Sequence, residues 1–284
     1  MEDLKQCAVC QSKSLAVFDK TGHIKICKEC GYKFTSPRIA TTKEISDMDQ
    51  KYEREFIKGF DPARAEHLYL RRVGLVRKYL SRGAILDVGA GPGTFLYFLK
   101  AAGNYQLHGT EVSQACVACA KNGLGVLLDQ GILEAIRYPD ASFDGVVLLH
   151  VFEHLPDPVV TLREIARILK PGGFVFIAVP NDSLLGRKGY LRYALQKFVG
   201  MRKKLMYPDY VKEGNWHLSH FTPSVLRKTL EVAGFSVKEA TVDDAWGDIV
   251  KPWHKRGRLT LALLMNKIFG CILYDAQFFV GQKI

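Results

Sequence analysis

A glycine-rich turn between a buried strand and an apolar helix is the feature that most constrains the fold of this 284-residue chain. Residues 84–88 have the apolar pattern of the strand, residues 89–93 carry glycine at alternate positions, and residues 94–101 have the pattern of the helix. This order places backbone N–H groups at the carboxyl edge of a sheet, where open α/β proteins bind ligands. The residues predicted to line this ligand site are Asp87, Gly89, Ala90, Gly91 and Gly93.

Short apolar runs alternate with helical stretches over residues 83–180, and this alternation is typical of βαβ units. With 48% apolar and 24% charged residues, the composition is that of a globular protein and excludes a disordered, collagen-like or coiled-coil chain. The last run, residues 277–284, has the pattern of a strand that closes the sheet in antiparallel orientation. We therefore predict an α/β fold with a doubly wound, mostly parallel sheet.

An acidic residue ends the next predicted strand. Glu111 comes eighteen residues after Gly93, and a carboxylate at that edge can accept hydrogen bonds from both ribose hydroxyls. The glycine spacing differs from the G-x-G-x-x-G of nicotinamide sites. Asp87 at the turn would also repel a pyrophosphate but attract an ammonium group. The pattern indicates a nucleoside cofactor that carries an amino-acid moiety.

These residues resemble a known family. Residues 87–93 are similar to the first motif of class I S-adenosylmethionine-dependent methyltransferases, and Glu111 matches the ribose-binding acid of that family. Residues 150–158 resemble the post-strand motif of its ubiquinone-biosynthesis-like branch, and residues 169–173 resemble the turn before its fifth strand. The resemblance implies a Rossmann-like sheet of seven mostly parallel strands that binds S-adenosylmethionine.

The resemblance also implies which further residues lie near the cofactor. They are Val112 after the ribose-binding acid, Leu133 after the third strand and His150 at the end of the fourth. Many relatives have an acidic residue for the adenine amino group where this chain has Ile132. We therefore expect backbone groups and apolar walls to hold the adenine.

Two CxxC pairs dominate the N-terminal forty residues. They are separated by sixteen residues, and a CxxC turn can aim two thiolates at one tetrahedral ion. Four cysteine ligands would leave no open position, so the predicted zinc site is structural. The alternatives are four unrelated buried thiols or a redox pair. The predicted ligands are Cys7, Cys10, Cys27 and Cys30.

The chain is therefore divided into a zinc ribbon over residues 1–40, a helical linker or cap over 41–82 and a methyltransferase domain over 83–284. An insertion on the acceptor side occupies residues 181–222. Between residues 181 and 228 there are ten basic and three acidic residues, a net charge of +7 out of +11 for the chain. This excess predicts an anionic acceptor, although a solvated helix face would have a similar composition.

Methyl transfer is an in-line displacement that depends mainly on positioning, and it needs a general base only when the acceptor must lose a proton. His154 and Glu153 are the candidates for that base, with helix packing and dipole compensation as their alternative roles. His217 and His220 lie at the end of the insertion and are predicted to contact the acceptor, although they could also be ordinary loop histidines.

The predicted function is methyl transfer from S-adenosylmethionine to a small or carrier-linked anionic acceptor, such as a sugar, a nucleotide-sugar or a lipid-linked molecule. The alternative is an RNA methyltransferase that binds RNA through the zinc ribbon and the basic insertion. A third hypothesis is an interaction module on an inert fold, and the set of Asp87, the glycines and Glu111 disfavours it.

The sequence has no export signal at its start and no apolar run of the length that a membrane span needs, so we expect a cytoplasmic protein. Residues 251–273 combine five basic side chains with an apolar stripe on one helix face. The stripe predicts either core packing or a peripheral contact with anionic lipid. It consists of Leu261, Leu264, Met265, Ile268 and Ile272.

Overall fold

Eleven strands lie in the described part of the chain; the computed structural model describes residues 3–18, 22–37, 66–183, 217–244 and 253–284. In chain order the strands are β1 (Leu15–Val17), β2 (Ile24–Cys27), β3 (Lys33–Thr35), β4 (Arg82–Val88), β5 (Asn104–Glu111), β6 (Asp129–Gln130), β7 (Phe143–Leu149), β8 (Leu169–Pro180), β9 (Ser219–His220), β10 (Phe235–Asp243) and β11 (Ala276–Lys283). They form one sheet of seven strands and one of four.

The larger sheet has the order β10-β11-β8-β7-β4-β5-β6. Strands β4 to β8 are parallel to one another, whereas β11 pairs antiparallel with both β8 and β10. The order reverses between β4 and β7, which makes their carboxyl ends the topological switch point where ligands of such sheets bind. The predicted α/β fold with seven mostly parallel strands is confirmed.

Seven α-helices lie in the described residues. They are α1 (Glu66–Tyr79), α2 (Thr94–Ala102), α3 (Gln114–Cys119), α4 (Leu133–Ile136), α5 (Pro158–Ile168), α6 (Pro223–Val232) and α7 (Trp253–Phe269). The starts of α5 and α6 follow from sequence: Asp157 and Thr222 accept hydrogen bonds from first-turn amides, and proline occupies the first position of both helices. None of the helices in the described ranges is both long and apolar enough to cross a bilayer.

The buried core lies on both faces of the larger sheet. Along β8, residues 175, 177 and 179 face one cluster, and residues 176 and 178 face the other, as the two-residue period of a strand requires. Helices α1 and α2 pack on the second face, and α5 and α6 pack on the first. All five β8 residues are fully buried, which explains their unbroken apolar run.

The smaller sheet joins the N-terminal segment to the rest of the chain. Its order is β1-β2-β3-β9, and all its pairings are antiparallel. Strands β1 to β3 come from the predicted ribbon, whereas β9 comes from the end of the predicted insertion. The ribbon residues Tyr32 and Phe34 are fully buried in the same core cluster as Phe221. The division of the chain into domains stays a prediction.

Several predicted features lie outside the described residues: most of the linker, most of the insertion with its basic residues, and the start of the basic cluster at 251. Helix α7 is described. Ile272 of the predicted apolar stripe is 6% exposed and belongs to the core, whereas three other members of the stripe do not. Leu261, Leu264 and Ile268 are 50–59% exposed, whereas Leu259 and Ala262 make the buried contacts. Core packing is therefore wrong for these three stripe residues.

Candidate active site

The glycine-rich turn lies at the carboxyl end of β4. The N–H groups of Gly89 and Ala90 both donate to the carbonyl oxygen of Thr110 on the neighbouring strand, at 2.9 Å. Gly89 has φ +68°, and an added Cβ would come within 2.5 Å of a Val151 methyl. Only glycine fits there, because the turn packs directly against the segment after β7.

Two predicted cofactor-binding carboxylates face this turn. Glu111 accepts hydrogen bonds from the N–H of Gly91 at 2.8 Å and from the N–H of Ser113 at 2.9 Å. Asp87 is 2% exposed, and its burial and the neighbouring charge of Glu111 raise its pKa well above the ordinary value. Two buried acids in one place favour a ligand that brings positive charge or several hydroxyl groups.

The other predicted cofactor residues differ in their positions. Leu133 begins α4 and is 3% exposed, so its side chain is part of the core, whereas Ile132 beside it is 52% exposed. Val112 follows Glu111 and is partly buried. The structure brings the glycine turn, Glu111 and Val112 to one edge of the sheet, and their roles in cofactor binding stay predictions.

Helix α1 contributes a buried cation that the sequence analysis missed. Arg72 is 3% exposed and donates to both oxygens of Asp243 at the end of β10, at 3.1 and 2.7 Å. The sequence contained a signal for each partner. Arg72 shares a helix face with the apolar Val73 and Val76, and Asp243 ends a strand as Glu111 does. Such signals are too common to identify a pair that lies 171 residues apart.

His150 joins this ion pair to the segment after β7. Its Nε2 lies 3.2 Å from Asp243 Oδ2, and its Nδ1 lies 3.6 Å from Glu153 Oε1. It has φ +58°, a conformation that only a few per cent of non-glycine residues adopt and that often marks a functional position. Burial opposes protonation of His150, but the two carboxylates outweigh burial and raise its pKa.

Glu153 is the buried acid at the centre of the second part of the site. It is 2% exposed, and its Oε2 accepts no hydrogen bond from any of the described residues. Burial opposes its ionisation, but His150, His154 and His217 together lower its pKa. The structure therefore holds a buried, negatively charged carboxylate. Its second oxygen can accept a hydrogen bond or bind a cation.

Three histidines surround Glu153. His154 Nε2 lies 4.0 Å from Glu153 Oε1, and the rings of His154 and His217 have centroids 4.9 Å apart. His217 is followed by His220, whose Nδ1 lies 3.3 Å from Asp182 Oδ2. The predicted catalytic and acceptor residues thus come together, and Asp182 is a member that the sequence analysis missed.

The electrostatic state of His217 differs from that of His150. Burial lowers the pKa of His217 to about 4, and the charge of Glu153 only partly opposes this. His217 is therefore neutral at pH 7 and offers a lone pair to a donor. One carboxylate oxygen of Glu153 and one ring nitrogen each of His154 and His217 lie within 4.8 Å of one another. This cluster could therefore also hold a cation.

The four N-terminal cysteines form a separate cluster. The sulfur atoms of Cys7 and Cys30 are 3.5 Å apart, as are those of Cys10 and Cys27, and all four lie within 4.8 Å. Four sulfurs about 2.3 Å from one tetrahedral ion would have similar separations. Burial disfavours a charged Cys27, but the N–H groups of Cys30 and Glu29 lower its pKa to about 7. The residues present thus fit a closed Zn²⁺ site.

Comparisons with known sequences agree with this geometry. The family profile described as "Methyltransferase domain" matches residues 58–240. A ubiquinone biosynthesis O-methyltransferase of Xylella fastidiosa (strain M23) is 28% identical over 213 residues, 71% of this chain and 78% of that protein. The "Probable methyltransferase ltbC" of Aspergillus luteorubrus is 30% identical over 154 residues, 48% of this chain, and the match spans about half of that protein (53%).

Two solved structures share the fold. One is a complex between a Haloferax volcanii methyltransferase and the Trm112 methyltransferase activator (TM-score 0.56, 19% identity, 86% of this chain and 97% of that chain). The other is the 1,6-didemethyltoxoflavin-N1-methyltransferase of Burkholderia thailandensis (TM-score 0.56, 15% identity, 90% and 97%). Since the family profile covers more than half of the chain, the protein belongs to the methyltransferase-domain family and is a class I S-adenosylmethionine-dependent methyltransferase.

Proposed function

We propose that the protein transfers the sulfonium methyl group of S-adenosylmethionine to a hydroxyl of a small or carrier-linked anionic acceptor. The observation that carries this proposal is the buried, ionised Glu153 beside His154 and His217, next to the turn that packs on Gly89. A base at this place is needed when the acceptor must lose a proton. The name of the Xylella relative, an O-methyltransferase, supports an oxygen acceptor.

Asp87 and Glu111 are the proposed anchors of the cofactor. Their adjacent buried carboxyl groups match the cofactor's ammonium group and ribose hydroxyls. The bound cofactor supplies an electrophilic methyl group. The residues of the chain hold the reacting atoms in line and exclude water from the edge between β4 and β7.

His154 is the proposed general base, and Glu153 orients and stabilises its protonated ring. His217, neutral because burial lowers its pKa to about 4, accepts a hydrogen bond from the acceptor. His150 has a different proposed role. Because Asp243 and Glu153 raise its pKa, His150 stays protonated to a higher pH than an ordinary histidine and is less available to take a proton from the acceptor. It instead holds the β7 end against β10 and the cofactor.

The acceptor class rests on charge. The net charge of +7 over residues 181–228 supports an acceptor with phosphate or carboxylate groups, such as a nucleotide-sugar or a lipid-linked sugar. Only the last two of those ten basic residues, on α6, lie in the described part of the chain. We further propose that Zn²⁺ at the four cysteines is structural, because four thiolates complete a tetrahedral shell.

A peripheral membrane contact through α7 would suit a lipid-linked acceptor. Leu261, Leu264 and Ile268 are exposed along the helix, and residues 251–269 contain five basic and no acidic residues. An exposed apolar stripe with basic flanks favours an anionic lipid surface. Sedimentation with phosphatidylglycerol vesicles, but not with phosphatidylcholine vesicles, would support this contact, and a Leu264→Glu variant should sediment less.

The test of the proposed function is transfer of a radiolabelled methyl group from S-adenosylmethionine to a panel of acceptors. The panel contains nucleotide-sugars, polyprenyl-phosphate sugars and RNA. A His154→Gln variant should lose at least about a hundredfold in rate, as expected for loss of a general base. His108→Gln, at an exposed position on β5, is the matched control and should keep full activity. Transfer to RNA alone would favour the RNA alternative, and a fully active His154→Gln variant would contradict the assigned base.

A further inference from the structure

The chain that carries His217 and His220 is the fourth strand of the ribbon sheet. Strand β9 pairs antiparallel with β3, with Lys33 opposite His220 and Phe34 opposite Ser219. Two further ribbon contacts extend this pairing. Thr35 N donates to Leu218 O at 3.0 Å, and Thr35 Oγ1 donates to His217 O at 2.8 Å. The histidine segment, residues 217–220, is thus held by the ribbon along its whole length.

Tyr32 adds a buried side-chain contact to the same segment. Its hydroxyl lies 2.6 Å from Ser219 Oγ, and both residues are almost completely buried. The ring of Tyr32 also packs against Phe221, with centroids 5.9 Å apart. A hydrogen bond in such a place has little competition from water, so it fixes the position of β9 more firmly than a surface contact would.

The opposite side of the histidine segment is bound to the turn at residues 150–154. Leu218 N donates to Glu153 O at 2.9 Å, and Phe221 stacks on Phe152 with centroids 5.1 Å apart. Leu218 therefore has its carbonyl bound by Thr35 of the ribbon and its N–H bound by Glu153. The distance between the rings of His154 and His217 depends on both attachments, since His217 is the neighbour of this bridging residue.

The cysteine cluster lies one hairpin away from these contacts. Cys27 N donates to Tyr32 O at 2.9 Å, and Tyr32 comes two residues after Cys30. A metal ion that fixes the two CxxC turns would therefore also fix the strand from which Tyr32 and Thr35 reach the histidine segment. The last strand of the ribbon, β3, pairs with β9, which carries the histidine segment. The ribbon is therefore directly connected to the proposed acceptor site.

We propose that Tyr32 and Thr35 are positioning residues that place His217 against Glu153 and His154, and that metal binding at the cysteines sets this position. The proposal rests on the proposed function only in calling these histidines acceptor-facing. It adds a task for the ribbon besides supporting the fold: a ribbon that has lost its metal leaves the cofactor edge intact and loosens the acceptor edge.

The test uses the full chain loaded with Zn²⁺ and two conservative variants, Thr35→Val and Tyr32→Phe. Each removes one hydroxyl that bonds to the histidine segment. The matched controls are Thr229→Val, whose hydroxyl bonds within α6, and Tyr105→Phe, whose hydroxyl bonds to Leu80 O. Two acceptor-independent measurements follow: hydrogen exchange of residues 217–221, and the pKa of His217 by NMR.

We expect hydrogen exchange at residues 217–221 to become at least about fivefold faster in both variants, because loss of one hydrogen bond typically changes an opening equilibrium by about this factor. The pKa of His217 should rise from about 4 towards its ordinary value as water reaches the ring. The titratable groups that act on the pKa of His217 are Glu153, His154, His220 and Asp182. None of these four residues is substituted in the variants or the controls. The affinity for S-adenosylmethionine should stay within twofold.

Removal of zinc with a chelator should give the same pattern with a larger increase in exchange. Chelation alone is ambiguous, because Glu153, His154 and His217 could also lose a cation. The two hydroxyl variants resolve this ambiguity. If neither changes the exchange or the His217 pKa relative to the controls, the proposal is wrong. Neither measurement requires methyl transfer, so failure to find an acceptor would count against the proposed function and leave this result standing.

Discussion

The two halves of the candidate site are built in different ways. The cofactor edge comes from one stretch of sequence, residues 87–111, in which a strand, a turn and a second strand carry Asp87 and Glu111. The acceptor edge comes from distant segments: α1, the turn at 150–154, Asp182, the histidine segment and the end of β10. Local geometry specifies the first half, and the whole tertiary structure specifies the second.

Their electrostatics differ in the same way. At the cofactor edge two carboxyl groups are close together, and the pKa of Asp87 is raised. At the acceptor edge acids alternate with Arg72 and the histidines, and the pKa values of Glu153 and Asp243 are lowered. The first half therefore needs a cationic ligand to balance its charge, whereas the second balances its own charges.

The largest effect should come from breaking the internal balance of the acceptor edge. Arg72→Met removes the cation paired with Asp243, which is 1% exposed. Asp243 would keep only His150 and, at 3.9 Å, Arg71 as positive neighbours. Loss of its closest buried partner should lower the free energy of unfolding by up to about 3–5 kcal/mol. Urea denaturation monitored by circular dichroism measures this difference. Lys78→Met, which removes an exposed ion pair with Glu239, is the control and should cost less than about 1 kcal/mol. Equal effects of the two variants would contradict the account of a buried network.

The cofactor edge should respond through its ligand. Asp87→Asn should lower the affinity for S-adenosylmethionine about tenfold or more, since a hydrogen bond to a charged group is lost. Binding to the unchanged protein should also release a proton, because the pKa of Asp87 starts high and a cationic ligand lowers it. Calorimetry in two buffers of different ionisation enthalpy measures that release. A release of the same size in Asp87→Asn would show that another group titrates.

The sequence was sufficient for the fold and for bringing the glycine turn and Glu111 to one edge, because both rest on short-range signals. That this edge binds the cofactor stays a prediction. The spacing from Asp87 to Gly93 and the acid at Glu111 lie within one βαβ unit, and the cysteine spacing within one hairpin. Arg72, Asp182 and Asp243 could not be predicted, since their roles arise only when strands distant in sequence meet. The exposed face of α7 was also ambiguous. Apolar residues at helical spacing predict an apolar face, but they do not show whether the rest of the protein packs against it.

A smaller effect concerns pH. The pKa of His217 is about 4 in the folded chain, against an ordinary value of 6.5, so the unfolded state binds more protons between these values. The free energy of unfolding should therefore fall as the pH is lowered from 6.5 towards 4, by about 1 kcal/mol in the first pH unit or so. Urea denaturation at pH 7 and pH 5 measures the loss. A His217→Gln variant should lose less stability over the same interval, and an equal loss would assign the dependence to other groups.

The smallest predicted effect separates the two histidine environments. Glu153→Gln removes a carboxylate that raises the pKa of both His150 and His217. Both pKa values should fall, and His150 should keep part of its increase because Asp243 still bonds to it. NMR titration of the two imidazole rings measures both shifts. Unchanged values would show that Glu153 does not act on either ring.

The central claim is that the edge between β4 and β5 binds S-adenosylmethionine through the acids of the glycine turn. Calorimetric titration of the zinc-loaded protein, of a Glu111→Ala variant and of the exposed control Glu231→Ala tests it most directly. The account predicts one micromolar site in the unchanged protein and the control, and its loss in a Glu111→Ala variant that circular dichroism shows to be folded. Absence of binding to folded, unchanged protein, or undiminished binding to Glu111→Ala, would contradict it.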